Sequence, residues 1–234
     1  MNFDVSHFLQ NSKYNQNKRS MLSVLFDVIF YSFILFFILY MAFCTIFIQS
    51  EVIGSSMQPT FNKNLSILED ANKSQYKDIA FANRFNKGSS GDIVLINLGK
   101  DVVIKRIIAM EGDQVKLKKE SDGYFYYYVN NKKLEEDYIL DRVDMNLSYF
   151  NKFCFESEKH QNLKNVDVIV EDREAVLTVP KDCVYVLGDN RLVSDDSSSY
   201  GCVNTQKILG AVSFYYEYNQ TFLSFIWQKI CGLF

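Results

Sequence analysis

From Val28 to Ile48 the chain runs for 21 residues without a charged side chain, dominated by Ile, Leu, Phe and Tyr. At 1.5 Å rise per residue, one helix of that length spans roughly a 30 Å hydrocarbon core. A single membrane anchor over residues 23–48 is therefore expected. Lys13, Lys18 and Arg19 precede the run and Glu51 follows it. The positive-inside bias puts residues 1–22 in the cytoplasm and the rest of the chain on the far side of the cell membrane. A cleavable signal peptide would have an apolar region of about 7–15 residues ending at small residues. Neither condition holds, and bulky Phe43 before Cys44 argues against lipoprotein processing.

About 185 residues follow the anchor, enough for one well-buried domain with a sizeable insertion. With 48% hydrophobic and 23% charged residues the composition is that of a folded protein. A net charge of -3 with no Lys/Arg run gives no reason to expect nucleic acid as a partner. Of five cysteines, Cys44 lies in the anchor and Cys231 in the tail, leaving Cys154, Cys183 and Cys202 with no metal-type spacing. Neither a metal nor a cofactor is expected, and these thiols read as small side chains in a fold that does not rely on disulfides. Short β-branched and aromatic runs bounded by Gly, Asn and Asp predict a mainly β domain. Expected strands include Ile67-Leu68, Ile79–Phe81, Ile93–Ile96, Val102–Met110, Ala175–Val179, Val184–Leu187 and Leu209–Tyr216, with a hairpin turning at Asn130-Asn131. The polar stretch from about Leu140 to Asp172 reads as a loosely ordered insertion. The division expected is a core of 49–118 and 175–218, an insertion of 119–174 and an apolar tail of 219–234, which either packs on the core or lies in a lipid interface.

Three segments carry chemistry. Ser56 lies in Gly54-Ser55-Ser56-Met57-Gln58-Pro59-Thr60, and a serine hydroxyl needs a base before it is a useful nucleophile. His7 and His160 are the only histidines; the first precedes the anchor and the second sits in a polar, charge-rich segment, so a Ser-His-Asp triad is not expected. Lys105 is the alternative base. In Val102–Ala109 strand alternation puts it on the face of Val103, Ile107 and Ala109, with Arg106 opposite. Burial disfavours the ammonium, so its pKa should fall toward the range of a base. The third segment, Gly188 to Gly201, is dense in hydroxyls and carboxylates and reads as a solvated loop or as support for the lysine. Ser74-Gln75-Tyr76-Lys77 matches the S-x-x-K pattern of penicillin-binding enzymes, but no S-D-N or K-T-G follows it.

Together these segments resemble bacterial type I signal peptidases in order and spacing. The nucleophile run matches that family's S-M-x-P-T box, Gly91 to Ile96 its G-D-I-V box, Lys105-Arg106 through Gly112-Asp113 its K-R box, and Gly188-Asp189-Asn190-Arg191 with Ser194, Asp196 and Ser197 its G-D-N-R-x-x-S-x-D-S box. The resemblance implies a β catalytic core with an inserted β/loop region behind one transmembrane helix, acting as a monomer on exported preproteins at the lipid bilayer. It makes Ser56 the nucleophile and Lys105 the general base, with Ser194 orienting the amine, Asp196 supporting the loop and the Ser56 N–H donating to the oxyanion. Gly54 stands where some members place a second, hydroxyl oxyanion donor.

By the same resemblance, cleavage follows small residues at -1 and -3. Edge backbone at Val52–Gly54 and Asp101–Ile104 would bind the signal peptide as a strand, with Val52, Met57, Val103 and Ile104 as pocket walls. One departure stands out. Ser198 occupies the place of the family's usual arginine, so Asp196 needs another partner, with Arg191, Arg106, Ser197 and Ser199 as candidates. A catalytically weak or inactive relative that holds signal peptides without cutting them is the alternative function. A self-cleaving Ser-Lys repressor is a further reading, against which the anchor argues.

Overall fold

A computed structural model of the chain describes residues 20–63, 77–139, 168–171, 174–217 and 221–231. The expected strand Ile67-Leu68, the S-x-x-K serine Ser74, both histidines and most of the polar insertion lie outside the described residues. The chain divides into two units, residues 1–45 and 46–234.

The apolar run forms helix α1 (Met21–Ile46), long and apolar enough to cross a membrane. The helix ends two residues before the run does. Phe47–Glu51 is strand β1, pairing antiparallel with β2 (Ile79–Asn83). An apolar run does not announce where a helix hands over to a strand; here cross-strand pairing and the Phe47 ring, 5.4 Å from that of Phe214, decide it.

The second unit is mainly β. Its remaining strands are β3 (Ile93–Asn97), β4 (Val102–Ala109), β5 (Gln114–Lys119), β6 (Phe125–Val129), β7 (Lys132–Lys133), β8 (Val168–Glu171), β9 (Glu174–Thr178), β10 (Cys183–Leu187), β11 (Val203–Asn204) and β12 (Ile208–Tyr216). A seven-stranded sheet has the order β1-β2-β12-β3-β4-β10-β11, and a five-stranded sheet the order β7-β6-β5-β9-β8. Whereas the insertion is expected at 119–174, the second sheet begins with β5 at Gln114 and includes β9 to Thr178. Asn130 and Asn131 adopt φ of 50° and 65°, the left-handed pair that closes a tight hairpin between β6 and β7. In the tail, helix α3 (Phe222–Cys231) packs on the core through Phe225, stacked 5.9 Å from Phe214.

Apolar side chains cover β4 on both faces. Ile104 packs with Val52, Met57, Phe61 and Leu95, Ile107 with Val94, Ile96 and Val186, and Ile108 with Leu117, Tyr127 and Leu187. The simple alternation expected for this strand is therefore absent: Ile104, Lys105, Ile107, Ile108 and Ala109 are all buried. Strand β12 threads between β2 and β3 with register shifts at both partners. Gly210 permits that approach, since a Cβ there would strike the Asn83 carbonyl oxygen and sit 2.8 Å from its carbon. Gly210→Ala should lower unfolding free energy by about 1–3 kcal/mol, read as a lower denaturant midpoint.

Candidate active site

The loop after β1 delivers Ser56 to the mouth of β4. Gly54, at φ 87°, takes the left-handed conformation that starts this turn. Asn62 fixes its base: the side-chain amide donates to the Val52 carbonyl at 2.8 Å and the Gly54 carbonyl at 2.9 Å. Asn62 and Asp78 also exchange backbone-to-side-chain bonds, Asn62 N to Asp78 Oδ2 at 2.7 Å and Asp78 N to Asn62 Oδ1 at 2.9 Å. The sequence reading passed over both residues, which are 4% exposed. Asn62 has φ 52°, a conformation Asn tolerates, but nothing in the local sequence announces a partner 16 residues away.

Lys105 Nζ lies 3.0 Å from Ser56 Oγ, and the lysine is 3% exposed. Desolvation pushes the amine below its ordinary pKa, while Asp196, Asp195 and Asp189 pull it partly back. Two of these carboxylates, Asp189 and Asp196, are engaged elsewhere. Asp189 receives Arg106 Nε at 2.8 Å and Nη2 at 2.6 Å, with the Thr60 hydroxyl as a further donor. Asp196 caps the short helix α2 (Ser197–Tyr200); its carboxylate accepts the Ser198 N–H at 3.0 Å, the Ser198 hydroxyl at 2.8 Å and the Gly188 N–H at 3.0 Å.

The candidate partners for Asp196 need correction. Arg106 is bound to Asp189, and Arg191 pairs with Glu136. The Ser197 hydroxyl accepts the Val186 N–H at 2.9 Å, and Ser199 Oγ is buried without a hydrogen bond. Ser198 itself supplies the donors, because a serine two residues past a helix cap reaches the capping carboxylate with both its N–H and its hydroxyl.

The other predicted residues divide. Ser194 is buried close by, but its hydroxyl makes no hydrogen bond, so the expected bond to the lysine amine is not formed. A Cβ on Gly188 would overlap the Ser194 side chain and lie 2.5 Å from the Ser56 carbonyl oxygen. Only glycine lets these strands of chain meet, and the Asn190 N–H closes the contact by donating to that oxygen at 3.0 Å. A cleft of about 130 Å³ opens beside Ser56 and Lys105, lined by Ser50, Glu51, Ile53, Leu95 and Val102–Ile104. Of the four residues expected as pocket walls, Val103 and Ile104 line this cleft, whereas Val52 and Met57 are buried and do not; Ile53 lines it too. Cys183 and Cys202 are free thiols. Among the described residues no group of three or more His, Cys, Asp or Glu side chains converges as a metal site would require.

Residues 25–217 match the family described as signal peptidase, peptidase S26. The chain belongs to the signal peptidase family. It is 32% identical over 173 residues to signal peptidase I of Bacillus caldolyticus, covering 73% of this chain and 80% of that protein. Signal peptidase I V of Bacillus subtilis strain 168 is also 32% identical, over 178 residues, 72% of this chain and 84% of that one. A crystal structure of a signal peptidase I from Enterococcus faecalis V583 aligns at 24% identity and TM-score 0.34, over 54% of this chain and 97% of that one. For this signal peptidase two outcomes follow from the buried lysine and the cap. Between its lowered folded pKa and the unfolded value near 10.4, the unfolded chain binds the extra lysine proton, so native stability rises with pH across that window and is lost as pH falls through the folded value. Lys105→Met should therefore raise Tm at pH below the folded value, with the gain shrinking toward pH 10. Ser198→Ala, which removes one donor to a buried carboxylate, should lower stability by about 1–3 kcal/mol in urea unfolding.

Proposed function

We propose that the chain is a membrane-anchored serine endopeptidase that removes signal peptides from exported preproteins by a Ser56–Lys105 dyad. The observation that carries this reading is the 3.0 Å contact between a serine hydroxyl and a desolvated lysine amine at the floor of an open cleft. A neutral amine takes the Ser56 proton as Oγ attacks the scissile carbonyl, and the same proton passes to the departing amine when the tetrahedral intermediate collapses to an acyl-enzyme. Lys105 then activates the water that releases the acyl group. The Ser56 N–H donates to the oxyanion, a kind of contact worth about 3–4 kcal/mol where one such donor has been removed.

Strand pairing supports an extended substrate. Strand β10 meets β4 only from Arg106 to Ala109, so the corresponding edge of Val102–Lys105 has no strand partner among the described residues. A signal peptide laid along that edge gains main-chain hydrogen bonds. Ile53, Val103 and Ile104 crowd the cleft, which suits small side chains at -1 and -3. Helix α1 serves as the single span, with the N-terminus cytoplasmic by the preceding Lys13, Lys18 and Arg19, the catalytic unit outside, and a monomer as the working form. The inactive-relative alternative drew on Ser198; with three donors on Asp196, that motive falls away.

Detergent-solubilised protein should cut a preprotein after the final Ala of an Ala-x-Ala site, read by sequencing the new N-terminus. Ser56→Ala and Lys105→Ala should each lower kcat by at least about 10³-fold, and the pair no further than either alone. The rate should rise with pH as Lys105 loses its proton, with the midpoint below the ordinary lysine value of about 10.4. Binding of the preprotein without turnover would overturn the reading.

A further inference from the structure

The segment leaving the β6–β7 hairpin reaches back to the catalytic loop. Glu136 pairs with Arg191 through both terminal guanidinium nitrogens, Nη1 and Nη2, with side chains only 9% and 1% exposed. Arg191 Nε also donates to the Gly188 carbonyl at 3.1 Å, and its guanidinium lies 5.2 Å from the centre of the buried Tyr127 ring. Two residues on, Tyr138 places its ring 4.0 Å from the Arg106 guanidinium and donates its hydroxyl to Glu136 at 3.2 Å. Thus Glu136 and Tyr138 touch both arginines that frame the dyad, the neighbour of Lys105 and the residue three before Ser194.

We propose that Glu136 is a positioning residue of the signal peptidase reaction, acting through Arg191 to hold the loop Gly188–Ser194 against Ser56 and Lys105. The need for such a hold is local. Leu192 and Val193, at the tip of that loop, are 69% and 52% exposed, with little cover from the described residues. Order at Ser194 therefore comes from the ends of the loop, where Gly188 touches Ser56 and Arg191 is clamped. A bidentate arginine–carboxylate pair fixes direction as well as distance, and here it ties the loop to the five-stranded sheet. The kinetic part of this inference rests on the Ser56–Lys105 reading; the clamp itself does not.

Full-length protein carrying Glu136→Gln keeps the side-chain shape and loses the charge. Expected are a kcat lower by roughly tenfold to a hundredfold with KM changed less than about threefold, and an acid limb of the pH profile moved to higher pH as water reaches Lys105. Amide hydrogen exchange of residues 188–194, followed by mass spectrometry, should quicken while that of β2 and β12 stays unchanged. Unchanged exchange at 188–194, quickened exchange throughout, or unchanged kcat would each overturn the positioning role. If Glu136→Gln does not fold, Arg191→Lys, which keeps the charge and loses the fork, carries the same expectations. Should the unsubstituted protein fail to cleave, the dyad reading fails, while loop exchange still decides the clamp.

Discussion

The architecture around the site turns on keeping one buried lysine amine free of a counter-ion. Nζ of Lys105 has Ser56 Oγ as its hydrogen-bond partner, yet three carboxylates lie near enough to raise its pKa. A carboxylate in direct contact would stabilise the ammonium over the neutral amine. Asp189 is turned to Arg106 and Thr60, and Asp196 to Ser198 and the Gly188 N–H. Each pair satisfies a buried charge, and each also spends that charge away from the lysine. Desolvation is left as the dominant influence on the amine.

Ser198 illustrates how the same task is done without an arginine. A charged partner would add its own desolvation cost at a position only 2% exposed. A helix cap needs no second charge: two neutral donors from one serine and a backbone N–H across the loop hold the Asp196 carboxylate. The cap also sets the path of Gly188, whose lack of a side chain lets Ser194 and the Ser56 carbonyl approach. Loop shape, carboxylate orientation and the placement of Ser56 are thereby one arrangement.

What the sequence made readable was the part with local signatures. The anchor followed from an uncharged run, most central strands from β-branched segments, the hairpin from two asparagines, and Ser56 with Lys105 from motif and from the poverty of histidine. Strand β5 escaped because its lysines alternate with Val115 and Leu117 in a short, charged stretch that carries little apolar weight. Strand β1 hid inside the anchor's apolar run. The Asn62–Asp78 exchange and the Glu136–Arg191 pair escaped for another reason: each joins polar residues far apart in sequence, and no periodicity encodes a partner. The solvated-loop reading of Gly188 to Gly201 fits only its tip, since Asp189, Arg191, Asp196, Ser197 and Ser198 are at most 3% exposed.

The insertion is thus more than a surface addition to the seven-stranded sheet. Its second sheet packs on β4 and β10 through Ile108, Tyr185 and Leu187, behind the strand that carries Lys105. The exit from its hairpin holds Arg106 by a ring and Arg191 by a carboxylate. Both contacts fall on the Gly188–Ser194 loop or the lysine strand, while Val102–Ile104 line the cleft. A sheet that buttresses the lysine strand leaves the edge of Val102–Lys105 without a strand partner among the described residues. A buttressed lysine beside an unpaired strand edge is an arrangement that would suit a peptidase acting on extended chains.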